Sequence, residues 1–150
     1  LEKGETVHTH TEPPAPLNPF LLAVILAILT IIPCLLLPQH LTMTLLSLLL
    51  FGIAAVYFGF AVADGRRNAL LIESVVVLIY LGVAVSGLLV SAWWLVAGYV
   101  LHGIWDLLHH NRAFGARVVR WYIPFCVLYD WLIALFLLVL IVVQRSASGF

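Results

Sequence analysis

Five apolar stretches, each near the roughly 20 residues that a membrane-crossing helix needs, constrain the fold of this chain more than any other feature. They run over about residues 20–37, 41–63, 69–89, 92–110 and 122–143. In hydrocarbon every backbone N–H and C=O must be satisfied internally, so segments like these are helices. The composition agrees: 64% of the chain is apolar and only 9% charged, with a mean hydropathy of +1.15. A soluble domain carries about a quarter charged residues. The sequence therefore predicts an all-α polytopic membrane protein, a bundle of five transmembrane helices occupying residues 19–144.

The punctuation between the runs supports these bounds. Residues 1–18 are polar and proline-rich, and read as a flexible tail. They lack the basic start of a signal peptide, and the His8-x-His10 pair within them reads as incidental. The chain opens on Leu1 rather than methionine, which leaves open whether residues were trimmed upstream. Pro38 stops the first run, and Asp64-Gly65-Arg66-Arg67-Asn68 joins charge to glycine as a turn. Pro124 sits in the first turn of the fifth run, where a missing N–H does no harm. Residues 145–150 form a short polar end.

Five crossings put the termini on opposite sides of the membrane. Lys3, Arg66, Arg67, Arg112, Arg117 and Arg120 fall on the side of the N-terminus and Arg145 alone on the other, six against one. Positive residues stay in the cytoplasm, so the N-terminus is expected inside and the C-terminus outside, in the plasma (inner) membrane of a bacterium. Trp93 and Trp94 then mark the outer interface, and Trp121 and Tyr122 the inner one. Small residues Gly52, Ala55, Gly59 and Ala63 on the second helix, and Gly82 and Ser86 on the third, are expected to pack closely inside the bundle. A homo-oligomer contact is the alternative reading of the same stripes. Seven scattered basic residues exclude nucleic acid as a partner. Cys34 and Cys126 have no zinc-finger or CxxC spacing, which excludes a disulfide framework.

Charged groups in a membrane are costly and face protein or water. On a helix, His102, Asp106, His109 and His110 are expected to share one face. At 1.5 Å per residue, Glu73 lies about 7 Å in from the cytoplasmic end, Asp106 about 6 Å, His102 about 12 Å and Asp130 about 12–15 Å. All fall in the cytoplasmic half, and the outer half holds none. The predicted cavity is lined by these residues together with Ser74, Tyr57, Cys126 and Tyr129.

Imidazole and carboxylate together suit zinc or another divalent transition metal. His102, Asp106, His109, His110, Glu73 and Asp130 are the candidate ligands, with Asp106, Glu73 and Asp130 as candidate catalytic groups. An ion with an open position would acidify a bound water and hydrolyse an ester or amide; at this depth the substrate would be a membrane lipid. Two other readings stay open. One is a paired structural network in a scaffold or accessory subunit of a larger complex, with Glu73 reaching Arg66, Arg67 or Arg120. The other is proton or ion handling, against which the charge-free outer half argues. Haem is disfavoured, because all the membrane histidines lie on one helix.

The motifs Tyr57-x-Gly59-Phe60, Asp64-Gly65-Arg66, Glu73, His102-Gly-x-Trp105-Asp106-x-x-His109-His110 and Trp121-Tyr122-x-Pro124-x-Cys126-x-x-Tyr129-Asp130 resemble a family of small bacterial membrane proteins with a domain of unknown function. The resemblance covers residues 57–131 and implies no activity. Asp106-x-x-His109-His110 also looks like a reduced HxxHH box of membrane di-iron oxygenases, but those enzymes need more histidines than this chain's membrane region has. The His/Asp/Ser inventory is similar to that of seven-helix ceramidase-like zinc hydrolases, which spread their histidines over several helices.

Overall fold

Local chemistry marks several of the helix ends. In the computed structural model, which describes residues 17–110 and 115–147, α1 (Pro19–Leu36) starts at Asn18. The Asn18 carboxamide accepts from the amides of Phe20 (3.0 Å) and Leu21 (3.5 Å), and Pro19 takes the first helical position. Asparagine satisfies otherwise unpaired amides there, and proline has none to lose. Pro38 separates α1 from α2 (Gln39–Asp64). Gly65, at φ +71°, caps α2 in the left-handed region that glycine enters without strain. Then come α3 (Arg67–Leu89), α4 (Trp93–Leu108) and α5 (Tyr122–Ala147). No strand occurs among the described residues. His8 and His10 of the tail, Lys3 and Arg112 lie outside them.

The architecture is all-α, and α1, α2, α3 and α5 are long and apolar enough to cross a membrane. α4 is shorter, with 16 residues, about 24 Å at the usual rise. The fourth apolar run continues to His110, but the α-helix stops at Leu108, and His109 turns its amide back to the Asp106 carbonyl at 3.0 Å.

α1 packs on α5, α5 on α4, α4 on α3 and α3 on α2, and α2 returns to α1. α4 also touches α2, so three helices surround it. An apolar core that includes Leu46, Leu50, Leu95, Tyr99, Ile133 and Leu137 fills the bundle. Two polar groups at this core find backbone acceptors: Tyr99 donates to the Leu46 carbonyl (2.7 Å) and Thr42 to that of Cys34 (2.9 Å). Large side chains point outward along every helix, Leu36 and Leu89 being about four-fifths exposed.

Helices approach most closely at glycines other than those the small-residue spacing singled out. A Cβ on Gly98 would lie 2.6 Å from Leu50 of α2 and 2.8 Å from Val83 of α3, and one on Gly103 would run into the Trp131 indole of α5. Gly52, Gly59 and Gly82 instead have open space where a Cβ would stand, and all three are exposed. The expectation that these stripes pack inside the bundle is thus corrected. The inward face of α2 carries Leu46, Leu50, Ala54, Tyr57 and Ala61. Spacing tells which residues share a face but not which way that face turns.

Candidate metal centre

α4 supplies the axis of the site. Its buried residues Leu95, Tyr99, His102, Gly103 and Asp106 recur at helical spacing, and His109 follows at the cap. The sequence thus turns one apolar stripe polar in its last two turns. His102 points Nδ1 at Asp130 Oδ2 on α5 (2.7 Å) and at Asp106 Oδ1 one turn along α4 (3.5 Å). One donor atom from each of the three side chains falls within 4.8 Å of the others, and none of the three residues is exposed.

A second buried pair lies alongside. His109 Nε2 meets Glu73 Oε1 of α3 at 2.8 Å, and His109 Nδ1 meets the Trp105 carbonyl at 3.0 Å. A carbonyl only accepts, so Nδ1 carries a proton. The Nε2–Oε1 contact then holds one further proton, and the pair is neutral overall whichever partner carries it. Glu73 Oε1 also accepts from the amide of Ala116 (3.0 Å). Tyr57 of α2 stands between the two groups, its ring centroid 5.6 Å from His102 and 4.7 Å from His109.

The link into α5 closes this end. Val118 packs with Tyr57 and Ile123, and Ala116 with Ala61 and Ala69. Gly115, at φ +65°, comes so near that a Cβ there would collide with His109 and Glu73. Asp64 holds the link down: it accepts from Arg66 Nη2 (2.6 Å) and from the Arg117 amide (3.2 Å), while Arg66 donates to the Gly115 carbonyl (2.8 Å). The hydrogen bond to Asp64 also raises the Arg66 guanidinium above its usual range. Glu73, expected to reach an arginine at the rim in the structural-network reading, meets His109, while Arg66 bonds to Asp64.

Three residues of the predicted cavity stand elsewhere. His110 is exposed beside Leu107 and Trp131, since the α-helical register ends before it and no longer carries it inward. Ser74 spends its hydroxyl on the Leu70 carbonyl of its own helix (2.6 Å). Tyr129 adjoins Asp130 in sequence but is a third of a turn round, and its hydroxyl meets Thr30 of α1 at 2.9 Å. Cys126 is buried one turn before Asp130. Tyr80 was not anticipated; its ring lies 4.9 Å from that of His102, edge to face. Its place seven residues after Glu73, on the same face of α3, is the signal that would have found it. Nothing in the sequence pointed to Gly115 and Ala116 as the roof.

Both Asp106 oxygens, Asp130 Oδ1, Glu73 Oε2, His102 Nε2 and the Tyr57 hydroxyl are buried without a hydrogen bond of good geometry, although Tyr57 sits beside Asp106. Buried polar atoms are ordinarily paired, as Tyr99 and Thr42 of the core are, so their concentration here marks the site, with Ser47 a further single case. The three donors lie close enough together that the group could hold a metal ion, while the 2.7 Å contact of His102 with Asp130 is that of a direct hydrogen bond.

Fold and site together define an all-α protein with membrane-length apolar helices and a buried His/Asp cluster at one end of its bundle. Residues 18–142 match the family of unknown function DUF6010, and the chain belongs to that family. No curated protein and no solved structure matches it.

Proposed function

We propose that this is an integral membrane protein that binds a divalent transition-metal ion through His102, Asp106 and Asp130. The observation that carries the reading is the convergence of three buried donors from α4 and α5 within 4.8 Å, with three of the four aspartate oxygens lacking a hydrogen bond of good geometry. Charge is consistent with it. Two ionised carboxylates and a neutral imidazole would sum to −2, a charge that a low-dielectric interior relieves either by protonating the carboxyls or by taking up a dication. One imidazole and two carboxylates suit zinc, iron or manganese.

All five helices cross the membrane in this reading, α4 being the short one at the centre, with the N-terminus inside and the cluster in the cytoplasmic half of a bacterial inner membrane. A metal-bound water at pKa near 7 would supply hydrolysis of an ester or amide, and lipid is the substrate class that reaches this depth. Tyr57 and the Glu73–His109 pair would then border the reacting region. Proton or ion conduction finds less support, because Leu46, Leu50, Leu95 and Ile133 fill the bundle beyond the cluster.

The test is elemental analysis of protein purified in detergent without chelator, beside His102→Ala and Asp106→Ala, with Tyr129→Phe as a control. About one metal per chain is expected, lost in both alanine variants and kept in the control. A wild type without metal would transfer the site to the competing reading, a proton-sharing network inside a scaffold or accessory subunit, which the direct 2.7 Å contact of His102 with Asp130 favours.

A further inference from the structure

The opposite end of the bundle has its own concave surface, independent of the metal reading. Two adjoining cavities, of about 570 and 430 Å³, share Gln39, Ser91 and Ala92. They lie where the α1–α2 link, the α3–α4 link and the last turns of α5 come together. Their ionisable lining residues are His40 and Arg145, and no aspartate or glutamate lines either one. Gln39 donates to Gln144 across the shared wall at 2.9 Å. The Ser91 hydroxyl accepts weakly from the Trp93 amide (3.4 Å), which leaves its own proton to donate. The Arg145 guanidinium lies 5.6 Å from the centroid of Trp93, which fixes the cation at the rim.

We propose that this surface binds the phosphate diester of an anionic phospholipid. The cationic and donor side chains set the sign of the ligand. The backbone adds to them, because α2 begins here without a side-chain cap and presents the positive end of its dipole. The rim identifies a lipid rather than a soluble anion. Leu89 and Val90 are at least 74% exposed, and Trp93 and Trp94 are partly so, beside the cavities. A free phosphate would leave that apolar rim in water, whereas a phospholipid covers it with its acyl chains. The helix ends also put the site at headgroup depth, where phosphates lie and tryptophan is favoured.

The experiment is native mass spectrometry of protein released from vesicles of equal parts phosphatidylcholine and phosphatidylglycerol. Wild type is expected to retain phosphatidylglycerol about tenfold over phosphatidylcholine. His40→Gln with Arg145→Gln should abolish the preference, and Arg145→Lys with His40 intact should keep most of it. Unchanged circular dichroism and melting temperature would show that the variants fold; if the double variant does not, Arg145→Gln alone carries the comparison. Equal retention of both lipids by wild type, or an unchanged preference in the folded variants, would overturn the proposal. Displacement of phosphatidylglycerol by inorganic phosphate at the same concentration would overturn the lipid and leave a soluble-anion site.

Discussion

The Glu73–His109 pair is the residue-scale feature whose energetics follow most directly from its geometry. Both partners are fully buried, and one shared proton keeps them neutral. Glu73→Leu or His109→Leu alone should cost about 1–3 kcal/mol, because each leaves a buried polar partner without its hydrogen bond. The double variant should cost less than the sum of the two, and thermal unfolding in detergent with a double-mutant cycle reads that coupling directly. Additive losses would mean that the pair does not act as a unit. Gly115→Ala meets both objections at once, a positive φ and a collision with the same pair. It should destabilise by about 1–3 kcal/mol, read as a lowered Tm. At this scale much of the site is legible in the chain. His102, Asp106 and His109 follow from helical spacing, and Glu73 and Asp130 from depth along their helices. What spacing could not show is that His109 turns to Glu73 while His102 turns to Asp130, because that depends on how neighbouring helices are rotated.

At the scale of elements, the helix contacts separate two kinds of glycine. Gly98 is pressed between Leu50 and Val83, and Leu50 is wholly buried with little room to retreat. Gly98→Ala should therefore cost about 1–3 kcal/mol through overpacking of α4 against α2 and α3. Gly59→Ala meets nothing within 4 Å and should range from neutral to about 1 kcal/mol stabilising, as alanine favours helix. The same melting assay distinguishes them, and a damaging Gly59→Ala would show that a partner covers that face. The elements themselves are largely visible in the sequence, since Asn18-Pro19, Pro38 and Gly65 punctuate the chain at helix ends. The early end of α4 was not, because the residues after Leu108 are as polar as those of the stripe before it and offer no contrast in pattern.

For the whole molecule, the six-to-one distribution of basic residues predicts that the 64–68 turn and the C-terminal end of α5 face opposite sides of the membrane. Asn68→Cys should label with an impermeant thiol reagent only from the cytoplasmic side, and Ser146→Cys only from outside. Cys34 and Cys126 are buried, so background labelling should be low. Labelling of both sites from one side would leave an even number of crossings and remove α4 from the spanning set.

Sequence alone determined the class of the protein, because backbone groups in hydrocarbon admit few solutions and long apolar runs take the helical one. It also brought Glu73, His102, Asp106, His109 and Asp130 to similar heights along their helices, since rise per residue is a local property of a helix, but it missed Tyr80, Gly115 and Ala116. The tertiary structure decided the azimuths. It turned Asp130 toward His102 and Tyr129 toward Thr30, set the glycine stripe of α2 outward, and folded Gly115 and Ala116 over Glu73. Those outcomes depend on which face of each helix meets which neighbour, and that is settled by packing across the bundle rather than by any single stretch of chain.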